Sequence, residues 1–247
     1  TATSTVTVNP LPNAAIAAVN PICVGQSATL TASGGGTYLW STNATTAAIT
    51  VTPAVTTTYT VTVTSAAGCT ATASRIVTVN PLPTVTINTV NPICVGQSAT
   101  LTATGTGSYT WSTGATSASI TVSPTTTTTY TVTVTSTAGC TATASRIVTV
   151  NPLPAAAIAN VAPICAGQSA TLTASGGGTY LWSTNATTAS ITVSPASTTS
   201  YTVTVTSAAA CTATATATVT VNPLPVAAIA GVNAICIGQS TQLTASG

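Results

Sequence analysis

Seven cysteines, at positions 23, 69, 94, 140, 165, 211 and 236, are the side chains of this sequence best able to act as a nucleophile or a soft metal ligand near neutral pH. The chain contains no Asp, Glu, His or Lys, and its charged side chains are Arg75 and Arg146 alone. General acid–base catalysis, carboxylate dyads, Schiff bases and Ser-His triads are therefore out of reach, and no enzyme activity is expected. A zinc site would want closely spaced ligand pairs such as C-x-x-C, which are missing here, so no metal or other cofactor is expected. A redox-active thiol would want basic neighbours to lower its pKa. What remains is structural: oxidation to disulfides, which belongs to an oxidising compartment.

The cysteines fall into two registers. Cys23, Cys94, Cys165 and Cys236 recur every 71 residues, and so do Cys69, Cys140 and Cys211. The simplest pairing is within a repeat, Cys23 with Cys69, Cys94 with Cys140 and Cys165 with Cys211, each bridge closing a 47-residue loop. That leaves Cys236 with a partner outside the window. A loop of that size stabilises by about 4 kcal/mol in the chain-entropy model, comparable with the whole net stability of a small domain. A pairing across the joint, Cys69 to Cys94, stays open, because spacing alone does not give connectivity.

The same period positions everything else. Asn-Pro-Leu-Pro stands at 9–12, 80–83, 151–154 and 222–225, and Trp40, Trp111 and Trp182 share one register. A repeat this regular is an architectural signal. It divides the chain into full repeats at 13–79, 84–150 and 155–221, the last strand of a preceding repeat at 1–8, and the start of a fourth at 226–247. The window reads as a segment of a longer array. The motifs form linkers through Pro10, Pro12, Pro81, Pro83, Pro152, Pro154, Pro223 and Pro225, where fixed φ angles make a short, semi-rigid spacer between successive domains.

Within a repeat the hydrophobic period is two. In "TYTVTVTS", Tyr59, Val61 and Val63 share one face and threonines the other; "SATLTAS" and "AITVT" behave alike. Strands are expected near Ala14–Val19, Ala28–Ser33, Tyr38–Ser41, Ala48–Thr52, Thr57–Ser65 and Thr70–Val79, separated by turn signals such as "GGG" at 34–36. This makes an all-β chain of tandem antiparallel β-sandwiches, arranged end to end, with β-branched residues suited to half-buried sheet surfaces. No stretch of about 18 apolar residues is present to span a membrane, and an outer-membrane barrel would want aromatic girdles that six Tyr and three Trp barely supply. Two arginines make no nucleic-acid stripe, and calcium would lack carboxylate ligands.

With the "IC-x-GQS-x-TLTA" opening, the "Y-x-WS" strand, the "TTYTVTVT" strand and the "GCTATA" start of the last strand, the first repeat resembles the Ig-like and PKD-like modules of large surface proteins in gliding and biofilm-forming bacteria of the Bacteroidota type. The resemblance covers the whole chain. It implies an extracellular or cell-surface protein, often exported by a type IX route. Such modules commonly carry Asp and Glu in their loops; their absence here argues against calcium or acidic-patch roles. Tyr59 precedes Cys69 by ten residues, so the disulfide is not placed as in antibody domains.

Asn43 and Asn185 begin N-glycosylation sequons, whereas the second repeat has Gly114 there. The threonine faces suit a solvated sheet; O-glycosylation or water ordering, as in ice-binding proteins, are the functional readings. Trp40, Trp111 and Trp182 read as core residues on a central strand, with sugar stacking as the alternative. Arg75 and Arg146 read as strand-face residues, replaced by Ala217 in the third repeat. Near-zero charge favours side-by-side association. The expected function is a structural component of an extracellular filament, stalk or surface fibre, partnered by copies of itself; the alternative is an adhesin binding glycans or neighbouring cells.

One solution property follows from composition. Stability changes with pH only where folded and unfolded chains bind different numbers of protons. With no carboxylate or imidazole side chain, the melting temperature is expected to stay flat from about pH 3 to 8. A sharp acid transition in thermal melts would count against this.

Overall fold

Alternating residues dictate alternating burial, and the strands follow. The computed structural model describes residues 2–231 and 234–246; residues 1, 232, 233 and 247, which fall in the expected segments 1–8 and 226–247, lie outside the described residues. Among the described residues there is no helix. The first repeat contains eight strands: β1 (Ala15–Ile16), β2 (Ile22–Cys23), β3 (Ala28–Ser33), β4 (Thr37–Trp40), β5 (Ala48–Val51), β6 (Thr57–Thr64), β7 (Thr70–Val77) and β8 (Val79–Asn80). The same set recurs in the second and third repeats.

The strands make two antiparallel sheets, ordered β1-β3-β5 and β4-β6-β7, and one short parallel pair, β2 with β8. In immunoglobulin terms these are A-B-E on one sheet and C-F-G on the other. The inner faces meet in a core of Ile16, Leu30, Trp40, Val61, Val63 and Val77, while the threonines of β3 and β6 point outward. The chain is therefore built of tandem Ig-like antiparallel sandwiches. The B–F disulfide of antibody domains has no counterpart, since both central strands carry aliphatic residues at the core, Leu30 and Val61.

The chain divides into two units. One runs to Val90 and adds Ala99–Val122 and Thr128–Val148; it holds the first sandwich and both three-stranded sheets of the second repeat. The other takes Asn91–Ser98, Ser123–Thr127 and the chain from Thr149. It holds the parallel pair of Ile93–Cys94 with Val150–Asn151, the third sandwich, and a hairpin of Ala228–Ala230 with Thr244–Ser246.

Several expectations need correction. The first strand is two residues long, where 14–19 was expected. The dipeptide strand β2 was unforeseen. The last strand is split: Thr78 leaves the β6 ladder, its carbonyl accepts the Ile22 N–H at 3.0 Å, and the Val79 N–H turns to Thr56 Oγ1 at 3.1 Å. Residues 2–8, expected as a strand, form none, because no described segment offers them a ladder; Val6 and Val8 are 84% and 89% exposed. Trp40 is buried in the core as expected, but on β4, at the edge of its sheet. Its indole donates to the Thr46 carbonyl at 2.9 Å. Burial of Trp40, Trp111 and Trp182 removes them as sugar-stacking platforms.

Arg75 is more than a strand-face residue. Its guanidinium donates to the Ile16 carbonyl at 2.8 Å, joining β7 to β1 across the sandwich, and Arg146 does the same to Ile87. Where Ala217 replaces it, Ile158 and Tyr201 are half-buried, whereas Ile16, Ile87, Tyr59 and Tyr130 are buried. The gain is tempered by Nε of both arginines, buried without a partner. Replacing Arg75 with Ala should cost about 1 kcal/mol, the net worth of one hydrogen bond. Calorimetry of the variant checks it, and an unchanged melting temperature would contradict it.

Candidate functional site

The chemistry of this chain lies at its joints. In each repeat the opening cysteine is the second residue of β2 or its equivalent, and a tight turn follows it. The Gln26 N–H donates to the Cys23 carbonyl at 2.9 Å, and the Gln26 side-chain oxygen accepts the Cys23 N–H at 3.0 Å. Gly25 supplies the positive φ of +86° at the corner. The reciprocal clamp recurs between Cys94 and Gln97 and between Cys165 and Gln168. The "C-x-G-Q" spacing is visible in the sequence, whereas the clamp that holds the cysteine is visible only in the structure.

The parallel ladder then sets Cys23 opposite Asn80, the first residue of a joint motif, with the Val24 N–H donating to the Asn80 carbonyl at 3.0 Å. Into the same place comes the turn cysteine of the next repeat. Cys140 Sγ lies 3.9 Å from the Asn80 oxygen and is bonded to Cys23, with Cα atoms 5.6 Å apart. Cys94, Cys211 and Asn151 repeat the arrangement in the other unit. Each bridge spans 117 residues and ties one repeat to the next.

This overturns the pairing within repeats, Cys23–Cys69, Cys94–Cys140 and Cys165–Cys211, as well as Cys69–Cys94. The reason is strand length. Cys69 precedes the first residue of β7, whereas Cys23 lies beside Asn80 at the end of β8. Eleven residues of extended chain separate Cys69 from Asn80, about 35 Å at ~3.3 Å per residue, and disulfide Cα atoms must come within about 7 Å. Cys23 and Cys69 sit at opposite ends of the first sandwich. Among the described residues Cys69, Cys165 and Cys236 are unbonded.

The turn that presents the second cysteine is equally specific. The Ser65 N–H donates to the Cys69 carbonyl at 2.8 Å, and Ser65 Oγ accepts the Cys69 N–H at 3.2 Å. Gly68 and Gly139 close the turn at φ +80° and +81°. The third repeat has Ala210 there, at φ +60°. A left-handed residue bearing a Cβ costs about 1–2 kcal/mol. Replacing Ala210 with Gly should therefore stabilise the third repeat by about 1 kcal/mol, less what glycine loses in the unfolded chain. Thermal melts of the variant test this, and a lower melting temperature would refute it.

The prolines behave as the geometry requires. Asn80 ends β8, and Pro81, which has no N–H to donate, stops the ladder there; irregular chain follows to Thr86. Pro10, Pro12, Pro152, Pro154, Pro223 and Pro225 take the matching positions, and every described peptide bond is trans. Leu153 borders an open groove of about 280 Å³ with Cys94, Gly96, Gln97, Ala210 and Thr212, beside the Cys94–Cys211 bridge.

Asn43 and Asn185 are exposed corner residues at φ +65° and +66°, and Gly114 sits at +84°. A shared demand for positive φ accounts for the Asn, Gly, Asn series by itself. No cluster of metal-ligating side chains occurs among the described residues, and no helix there is long and apolar enough to cross a membrane.

No family model matches the chain, and no curated protein sequence does. Solved structures resemble it at low similarity. The N-terminal eight Ig domains of Down Syndrome Cell Adhesion Molecule share 14% identity at TM-score 0.40, over 90% of this chain and 38% of that one. Ig domains 1–5 of Sidekick-1 share 14% identity at TM-score 0.29, over 86% of this chain and 60% of theirs. A calcium-stabilised ice-binding adhesin of an Antarctic bacterium shares 16% at TM-score 0.35, over 90% of this chain and 76% of that one. The Ig-like assignment rests on the strand order of the chain itself.

Proposed function

We propose that the chain is a structural, non-catalytic component of an extracellular filament, stalk or surface fibre. The observation that carries this reading is the bridging of one repeat to the next by Cys23–Cys140 and Cys94–Cys211. A domain that needed only its own stability would be served by a bridge inside its sandwich. A bond across the joint instead adds a second covalent link beside the backbone between neighbouring repeats, which suits a tension-bearing array. Disulfides of this kind belong outside the reducing cytosol. The near absence of charge, tolerable in an assembled fibre, points the same way.

The alternative is an adhesin whose repeats bind glycans or neighbouring cells. Adhesion molecules and adhesins among the similar structures favour it by name. Electron microscopy of purified material separates the two. Regular fibres with an axial rise tied to the 71-residue repeat support the structural reading; monomers that bind a glycan array would overturn it in favour of the adhesin.

A further inference from the structure

Each bridge joins a sealed cysteine to a more open one. Cys211 and Cys140 are each 1% exposed, whereas their partners Cys94 and Cys23 are half-buried. The asymmetry belongs to the joint itself, because it is the same in both, and the second joint lies well inside the chain. A thiolate that opens a disulfide must reach one of its two sulfurs, so access helps decide which of them it bonds to.

Cys94 also stands at a place where a small molecule fits. It forms part of the wall of the open groove of about 280 Å³, and Cys211 does not. That volume lies just below the range usual for drug-sized ligands, which suits a low-molecular-weight compound and not a folded domain. Val95 and Leu153 give the groove apolar surface, and Gln97 and Thr212 give it hydrogen-bonding groups. Gln97 Oε1 accepts the Cys94 N–H at 2.9 Å, which leaves the amide NH2 to donate to a carboxylate or an amide carbonyl. The chain has no acidic side chain, so none repels an anionic thiol compound.

The sealed sulfur is placed to leave and return. Cys211 Sγ lies 4.0 Å from the Asn151 oxygen and 3.9 Å from the Ala209 oxygen, and carbonyl oxygens oppose negative charge there. The Cys211 N–H donates to Ser207 Oγ at 3.2 Å, and the Ser207 N–H donates to the Cys211 carbonyl at 2.8 Å. Across from it, the ladder of Ile93–Cys94 on Val150–Asn151 holds Cys94. A thiol released at Cys211 therefore stays within reach of its former partner.

We propose that Cys94 is the site at which a low-molecular-weight thiol of the glutathione class, seated in the groove, exchanges with the joint, and that Cys211 is the leaving and resolving sulfur. Cys23 and Cys140 divide the roles in the same way. The incoming thiolate bonds to Cys94 Sγ, the Cys94–Cys211 bond breaks, and its electron pair leaves on Cys211 Sγ, which takes a proton from water. In the reverse step the Cys211 thiol loses that proton, its thiolate attacks Cys94 Sγ, and the small thiolate departs. The same path closes the bridge during oxidative folding, starting from a mixed disulfide that oxidised glutathione leaves on Cys94.

This inference goes beyond the filament reading, because an adhesin with these joints would carry the same sulfurs. The first test uses the folded chain with Cys69, Cys165 and Cys236 already alkylated. Reduced glutathione is added, the reaction is stopped with acid, new thiols are labelled, and the peptides are mapped by mass spectrometry. Glutathione is expected on Cys94 and Cys23, and the label on Cys211 and Cys140. The opposite assignment would overturn the proposal, and so would bridges that open only when the chain is unfolded. Two variants read the asymmetry without trapping, the Cys23–Cys140 bridge serving as the marker of folding. Oxidised glutathione should modify Cys94 in C211S at least about tenfold faster than Cys211 in C94S; equal rates would refute the assignment. Finally, Thr212→Trp fills the groove and should slow opening of Cys94–Cys211 severalfold relative to Cys23–Cys140 in the same molecule. An unchanged ratio would remove the groove as the way in.

Discussion

A chain cut once within the 80–83 joint runs at full mass on a non-reducing gel and falls into two pieces only when reductant is added. Cys23 lies on one side of the cut and Cys140 on the other, and the bridge joins them. Pairing within repeats would release the pieces without reductant, so the experiment, on a variant with a protease site in the joint, decides between the two. Reduction should also cost stability in both flanking repeats. With the first repeat folded, Cys23 is held beside Asn80, so unfolding the second leaves a closed loop of about 60 residues up to Cys140, worth about 4 kcal/mol in the chain-entropy model. The mirrored loop, 23 to 80, gives a similar figure for the first repeat. One bridge thus restrains two unfolded ensembles, and Cys140→Ser should lower the melting of both. Calorimetry showing only one transition moved would argue against this.

The second large effect is at Trp40. Its side chain is 1% exposed among Leu30, Val61 and Val63, and its indole is satisfied by the Thr46 carbonyl. Trp40→Ala removes the largest group in a small core and leaves a cavity, for which about 3–5 kcal/mol is typical. Trp40→Phe keeps most of the apolar contact and loses the hydrogen bond, so its cost should be well below that of alanine. Urea titration of both variants measures the ordering, and equal costs would mean that the indole hydrogen bond, not burial, dominates.

How far the sequence could be read depended on length scale. Strand Ala28–Ser33 is found with the bounds expected for it, because six alternating residues carry a clear period. Ile22–Cys23 is too short to have one and was missed. The repeat register placed every cysteine in its class but said nothing of the distances between classes. The missing step depended on β2: only its pairing with Val79–Asn80 holds Cys23 at the far end of the strand that Cys69 precedes, and a two-residue strand leaves no period to read. The Asn43, Gly114, Asn185 series, by contrast, was legible as backbone geometry before it was legible as a sugar site.

The offset of the bridges decides how far the protein can be drawn out by force. A taut covalent path enters at an opening cysteine, jumps to the turn cysteine of the next repeat, and runs backward 46 residues to that repeat's own opening cysteine before jumping again. Each repeat pulled fully open thus lends 46 of its 71 residues to the stretched length, about 160 Å at ~3.5 Å per residue. Overlapping links of this kind behave as chain mail: a snapped strand of backbone in one joint slackens the fabric without parting it.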